Sequence, residues 1–182
     1  MHLRTDEERP TAAPLARLRH ACPWPIVLGI DPGTRVVGYG AVVANARGPR
    51  LFGAGVLRPG ARLDVPARLA AILAEFEELL DEVRPDVVVV EQAFAARNLQ
   101  SALRIGEGRG VILAAAARFG SRIVQFAPAV AKKALVGNGA ADKTQVAAMV
   151  AGTLGLAEAP EPLDATDALA LALAHVLRSK RC

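Results

Sequence analysis

From Ile26 onward the chain alternates between short β-branched runs and longer stretches whose apolar residues recur three and four positions apart. Ile26-Val27-Leu28-Gly29-Ile30-Asp31 is the first short run, and the turn-forming Pro32-Gly33 ends it. Val36 to Ala44 and Leu51 to Leu57 follow as two further strands. Between them Asn45-Ala46-Arg47-Gly48-Pro49 has the chemistry of a hairpin loop, which predicts a three-stranded antiparallel meander. From Pro66 to Val83 the positions Leu69, Ile72, Leu73, Phe76, Leu79 and Leu80 keep the period of an amphipathic helix, which Arg84-Pro85-Asp86 stops. Val87 to Val90 is an uninterrupted valine run of the kind buried on both faces of a sheet, and it ends in a charge, Glu91. Beyond it the pattern predicts a helix from Asn98 to Arg118, a strand from Ile123 to Phe126 and a helix starting at Pro128. Two more helices follow, over Thr144 to Gly152 and Asp164 to Arg178. This order is that of an α/β domain whose mixed central sheet, a meander plus parallel strands, is flanked by helices.

Composition narrows the picture. A chain of 182 residues suits one domain, and 52% hydrophobic residues exclude a disordered polymer. With only 4% aromatic residues, the core must be built from Ala, Val, Leu and Ile. The net charge of +4 permits a polyanionic partner without requiring one. Cys22 and Cys182 lie at opposite ends without CxxC spacing, which argues against a disulfide framework or a zinc site. The longest apolar run, Gly110 to Ala117, is alanine-rich and too short for a membrane span. Residues 1–25 mix Arg4, Arg9, Arg17 and Arg19 with Asp6, Glu7 and Glu8 and carry no hydrophobic signal segment. The expectation is a cytoplasmic protein with a flexible extension over 1–25, a folded domain over 26–178 and a short basic tail over 179–182.

The carboxylates carry the chemistry. Asp31 and Glu91 each end a strand, and if those strands are parallel neighbours both acids fall on one rim of the sheet, where open α/β sheets place ligands. Asp164 and Asp167, three apart at the start of the last helix, share a helical face. Two unit charges about 4 Å apart repel by roughly 4 kcal/mol even at an effective dielectric near 20, so such a cluster calls for a cation. Oxygen-only donors suit Mg²⁺ or Mn²⁺ rather than zinc. Two such ions suit in-line hydrolysis of a phosphodiester. A plainer reading stays open for three of the acids: Asp164 as an N-cap, Asp167 as a first-turn acid favoured by the helix dipole, and Asp31 as a turn residue; Glu91, directly after four valines, is poorly placed for a mere solubilising role.

Leu28-Gly29-Ile30-Asp31-Pro32-Gly33-Thr34-Arg35 with Gly38-Tyr39-Gly40 closely resembles the opening of the crossover (Holliday) junction endodeoxyribonuclease RuvC family. The later motifs agree in order: Glu91-Gln92-Ala93-Phe94 with Asn98, Ser101-Ala102-Leu103-Arg104 through Gly108-Arg109-Gly110, Val136-Gly137 to Lys143-Thr144-Gln145-Val146, and Asp164-Ala165-Thr166-Asp167-Ala168-Leu169-Ala170 with His175. The resemblance implies an RNase H-like fold, a homodimer, and Mg²⁺-dependent nicking of two like strands at a four-way DNA junction. It implies partnership with the RuvA and RuvB branch-migration complex. Asp31, Glu91, Asp164 and Asp167 match the catalytic, metal-binding acids. Phe94 matches an aromatic residue that stacks on unpaired bases, an interaction worth roughly 1–3 kcal/mol per base, with a core Phe as the plainer reading. Lys132 and Lys143 match basic positions facing DNA, where phosphate contacts add salt dependence rather than sequence choice.

Arg97, Arg104, Arg109 and Lys133 read either as an extension of that basic track or as solvated helix faces. His175 reads as tuning a metal-bound water or as a packed or surface histidine. Gly106, Gly108 and Gly110 lie in a helical pattern with no preceding strand, which argues against a nucleotide loop. They read as small residues for close helix packing at a dimer interface, on which reading Gly108→Leu weakens dimerisation. Two other classes compete. Actin-like and sugar-kinase ATPases share the strand–Asp–x–Gly–Thr opening but need a second lobe, for which the chain is too short. A junction-binding scaffold without chemistry would not need all four acids.

Overall fold

The computed structural model describes residues 22–33, 35–60, 62–92 and 99–179. The chain runs β1 (Ile26–Pro32), β2 (Val37–Asn45), β3 (Gly48–Leu57), α1 (Val65–Val83), β4 (Val87–Glu91), α2 (Leu99–Phe119), β5 (Arg122–Phe126), α3 (Pro128–Val136), α4 (Lys143–Leu154) and α5 (Leu163–Ser179). The strands form one five-stranded sheet in the order β3-β2-β1-β4-β5. β1, β2 and β3 are the antiparallel meander, and β4 runs parallel to both β1 and β5. The mixed sheet read from the sequence is therefore present.

The hairpin is tighter than the sequence suggests. Asn45 Oδ1 accepts from the Arg47 amide at 2.9 Å, so the turn closes over Ala46-Arg47. Gly48, at φ 137°, and Pro49 then join β3 opposite Asn45 and Ala44. Pro49 is tolerated there because β3 is an edge strand.

Strand alternation sorts the side chains onto two faces. Ile26, Leu28, Ile30, Val88 and Val90 pack with Ile72, Phe76 and Leu80 of α1 and Ile112 of α2. Val27 and Val89 face the opposite way, toward α3, α4 and α5. On that second face β1 and β2 present Gly29, Gly38 and Gly40, and α5 lies directly on this stripe. A Cβ on Gly29 would run into the Ala168 carbonyl, and one on Gly38 into the Asp164 carbonyl. One on Gly40 would stand 2.6 Å from Leu169 Cγ. The missing side chains thus fix how closely the helix carrying Asp164 and Asp167 approaches the strand carrying Asp31. Apolar on almost every side, α5 is a buried helix: Ala168, Leu169, Ala172, Leu173 and Ala174 are fully enclosed.

The glycines of α2 do not share one packing surface. Among the described residues, Gly106 and Gly110 face open space, while Gly108 is turned inward toward Ile72 Cδ1 and the Gly33 carbonyl, 3.8 and 4.0 Å from an added Cβ. A leucine at 108 would press on its own chain's α1 and the β1–β2 turn, so a change in dimerisation there would not report on an interface alone.

Candidate active site

The alternation that sends Val27 and Gly29 toward α5 sends Asp31 the same way, and Val89 does the same for Glu91. In the parallel register Ile30 stands opposite Val90, so the two acids leave neighbouring strand ends side by side. α5 adds Asp167. The three carboxylates line an open cavity of about 300 Å³, walled by Pro128, Val146 and Leu171 and flanked by Lys132 and Lys143. Asp164 lies one turn earlier on α5, with its backbone against Gly38. It is not part of the cavity wall, yet its charge is felt at Asp31. Phe94 and Arg97 lie outside the described residues.

Electrostatics mark the spot. Asp31 is pushed up from 3.8 to about 7, first by burial and then by the charges of Glu91, Asp167 and Asp164, with Lys143 acting in the opposite sense. Glu91 is also raised, by burial and then by Asp167, against the pull of Lys132 and Lys143. The two lysines therefore leave the cavity short of positive charge.

Each lysine is already engaged. Lys143 Nζ donates to Asp167 Oδ2 at 2.9 Å, and this bond, with the Asp167 charge, holds the ammonium above its ordinary value. A capping box fixes the start of α4: Asp142 Oδ1 accepts from the Gln145 amide at 2.8 Å, and Gln145 Oε1 accepts from the Asp142 amide at 3.1 Å. Lys143 follows that cap directly, so its reach toward Asp167 is set by the helix start. Lys132 Nζ donates to the Ala141 carbonyl at 2.7 Å, tying α3 to the segment leading into the same cap.

Among the described residues no three carboxylates stand close enough to form a ready-made cation cage. The donor set nevertheless fits a hard divalent ion: carboxylate oxygens, no sulfur or imidazole among the described lining residues, and an Asp31 carboxyl that burial first and then the neighbouring acids push up to about 7.

His175 does not line this cavity. It is half-buried against Phe126, ring centroids 6.4 Å apart, and lowered by burial and then by Arg122. Arg178 covers the same ring at 5.6 Å. The packed reading of His175 holds. Arg109 is half-buried and engaged: Nε donates to the Glu91 main-chain carbonyl at 2.9 Å, and a terminal nitrogen donates to the Gln125 side chain. The sequence hides this bond because its acceptor is a main-chain atom 18 positions away.

Residues 27–175 match the sequence profile of the crossover junction endodeoxyribonuclease RuvC. The chain belongs to the RuvC family. The RuvC of Chlorobaculum parvum is 44% identical over 154 residues, covering 84% of this chain and 82% of that protein. The solved Thermus thermophilus RuvC superposes with a TM-score of 0.79 at 36% identity, covering 86% of this chain and 96% of that one. The T. thermophilus RuvC in complex with a Holliday junction substrate superposes with a TM-score of 0.77 at 34% identity, with the same coverage. The RuvC fold therefore extends over nearly all of the described chain. Among the described residues no helix is long and apolar enough to cross a membrane.

Proposed function

We infer that this chain is a crossover junction endodeoxyribonuclease, which resolves four-way (Holliday) DNA junctions by hydrolysing phosphodiester bonds in recombination and repair. The carrying observation is the meeting of Asp31, Glu91 and Asp167 in one lysine-flanked cavity of a RuvC-family chain. The finer reading is cation-dependent, symmetrical cleavage of two like strands by a homodimer, one active site per strand, which matches the symmetry of the substrate.

Asp31, Glu91, Asp164 and Asp167 would hold Mg²⁺, two ions per site, with Mn²⁺ able to substitute. Bound there, the ions supply Lewis-acid polarisation of the phosphate and neutralise charge built up in an in-line displacement. The protein's own part is to present the donors. Asp31 and Glu91 come from rigid neighbouring strand ends, and Asp164 and Asp167 from a helix seated on the glycine stripe. Lys143 stands where an arriving phosphate oxygen can take the place of Asp167, which frees that carboxylate for a cation. Lys132 holds the segment that aims Lys143 and adds positive charge at the cavity. Phe94 and Arg97, in the connection after Glu91, are proposed to meet the junction, Phe94 by stacking on bases and Arg97 on phosphate. On this reading residues 26–178 are the nuclease domain, 1–25 an extension and 179–182 a tail. On the same reading the protein is cytoplasmic and works with the RuvA and RuvB complex.

The test is cleavage of a synthetic four-way junction, each strand labelled in turn, beside a linear duplex of the same sequence. Paired nicks at symmetrical positions, on the junction alone and in Mg²⁺ but not Ca²⁺ or EDTA, are expected. Junction binding without nicks in Mg²⁺ or Mn²⁺ would leave only a binding scaffold.

A further inference from the structure

Arg109 lies midway along α2, half-buried, and its guanidinium reaches across to the ends of two neighbouring strands. Nε donates to the main-chain carbonyl of Glu91, the last residue of β4, at 2.9 Å. A terminal nitrogen donates to Gln125 Oε1. Gln125 stands opposite Val90 in the β4–β5 register, and the Gln92 amide donates to the Phe126 carbonyl at 2.8 Å. The pairing of β4 with β1 runs only to Val90. Glu91 therefore sits where the β1 ladder has run out, and its carbonyl is held by a side chain from a helix. A planar guanidinium that spans two acceptors fixes direction as well as distance, which an ammonium cannot do.

We propose that Arg109 is a positioning residue for Glu91, clamping the peptide at the end of β4 so that the Glu91 carboxylate faces Asp31 and Asp167. Site geometry has to hold to about 0.5 Å for such a constellation to work, and a strand end paired on one side only, Glu91 with Phe126 of β5, gains that precision from the clamp. Partners that orient metal-holding groups typically change metal affinity or activity by about 10–100-fold when removed. The clamp acts through Glu91, so the inference rests on the reading of Glu91 as a cation-holding acid.

The test compares Arg109→Met, which keeps much of the aliphatic stem, with Arg109→Lys and Gln125→Leu. Three quantities are measured on the full chain: single-turnover cleavage at saturating junction, junction affinity against salt in Ca²⁺, and binding of Mn²⁺ alone followed by the electron paramagnetic resonance of the free ion. Arg109→Met is expected to slow cleavage about 10–100-fold and to weaken Mn²⁺ binding several-fold, with junction affinity and its salt slope unchanged. Arg109→Lys keeps the charge on a single donor nitrogen, without the planar fork, and recovers part of the loss; Gln125→Leu shows a smaller loss of the same kind. Unchanged cleavage and Mn²⁺ binding in Arg109→Met overturns the proposal. So does a loss confined to junction affinity with the salt slope reduced by about one, the signature of a phosphate contact. Should Arg109→Met fail to fold, Gln125→Leu decides by the same two readouts. Glu91→Gln is run alongside. If it cleaves normally, the reading of Glu91 falls and this inference with it; if it is inactive while Arg109→Met is not, only the positioning role falls.

Discussion

Asp31→Asn and Asp167→Asn are each expected to slow junction cleavage by about 10³-fold or more, with junction affinity in Ca²⁺ held within about twofold. The amide keeps the size of the side chain but removes the charge that a divalent cation needs. Asp31 sits at the end of β1, paired with Gly38 of β2 one residue past the last β1–β4 partners, Ile30 and Val90, so the sheet fixes its place. Asp167→Asn has a second consequence, because it removes the charge that Lys143 meets at 2.9 Å and leaves only a weaker, neutral acceptor, so the ammonium is more available to phosphate. Its junction affinity should therefore hold or rise while its cleavage falls. Asp164→Asn is expected to abolish cleavage in the same way, although Asp164 stands outside the cavity wall. Gel-resolved cleavage and Ca²⁺ binding curves on the three variants check this. Cleavage within tenfold of the parent in Asp31→Asn or Asp167→Asn would contradict the assignment of these carboxylates.

The second large effect is on stability and runs against the usual direction for a buried substitution. Asp31 has its pKa raised from 3.8 to about 7, chiefly by burial and then by Glu91, Asp167 and Asp164. An acid raised in this way binds its proton more tightly in the folded state than in the unfolded one. Stability then falls as pH climbs from about 4 to about 7 and stays low above that. Below about pH 4 both states hold the proton and the difference vanishes. Without divalent cation, Asp31→Asn is expected to melt above the parent at pH 8 by about 2–8 °C. That corresponds to about 1–3 kcal/mol once partial solvent access is discounted. The gap should close as pH is lowered toward about 4. Calorimetry in EDTA at several pH values measures it, and a lower or equal melting point for Asp31→Asn at pH 8 would contradict the charge crowding. The sequence disfavours mere turn chemistry at Asp31 only weakly, whereas this experiment addresses it directly.

Much of the fold was legible because its elements announce themselves locally. Four consecutive valines mark a strand buried on both faces, and β4 has Val88, Val89 and Val90 fully enclosed. A charge at the end of such a run is informative for the same reason: the strand that hides the valines delivers Glu91 to the rim. Local pattern also located α1 and α5 to within a residue or two. It failed where the deciding partner is distant. Gly29, Gly38 and Gly40 read simply as strand residues, and only the packed helix shows that their missing Cβ atoms seat Asp164 and Asp167. The Asn45 side chain captures the turn amide, which shortens a loop that composition alone makes longer. Gly106, Gly108 and Gly110 look alike in sequence and meet different surroundings, because a helix turns successive even positions to different sides. Arg109 looks like one more cation of a basic track, yet its acceptors are the carbonyl of Glu91 and the side chain of Gln125. Charge count says nothing about which cations are already spoken for.

The central claim is that the cavity between the ends of β1 and β4 and the start of α5 is the cation-holding nuclease centre. Anomalous scattering from a crystal of the protein soaked in Mn²⁺ tests it most directly. The account predicts manganese density coordinated by the carboxylates of Asp31, Glu91 and the Asp164–Asp167 turn, with Asp167 drawn away from Lys143. Manganese bound elsewhere, or an ordered Asp167–Lys143 pair beside a cavity without manganese at millimolar concentration, would contradict it.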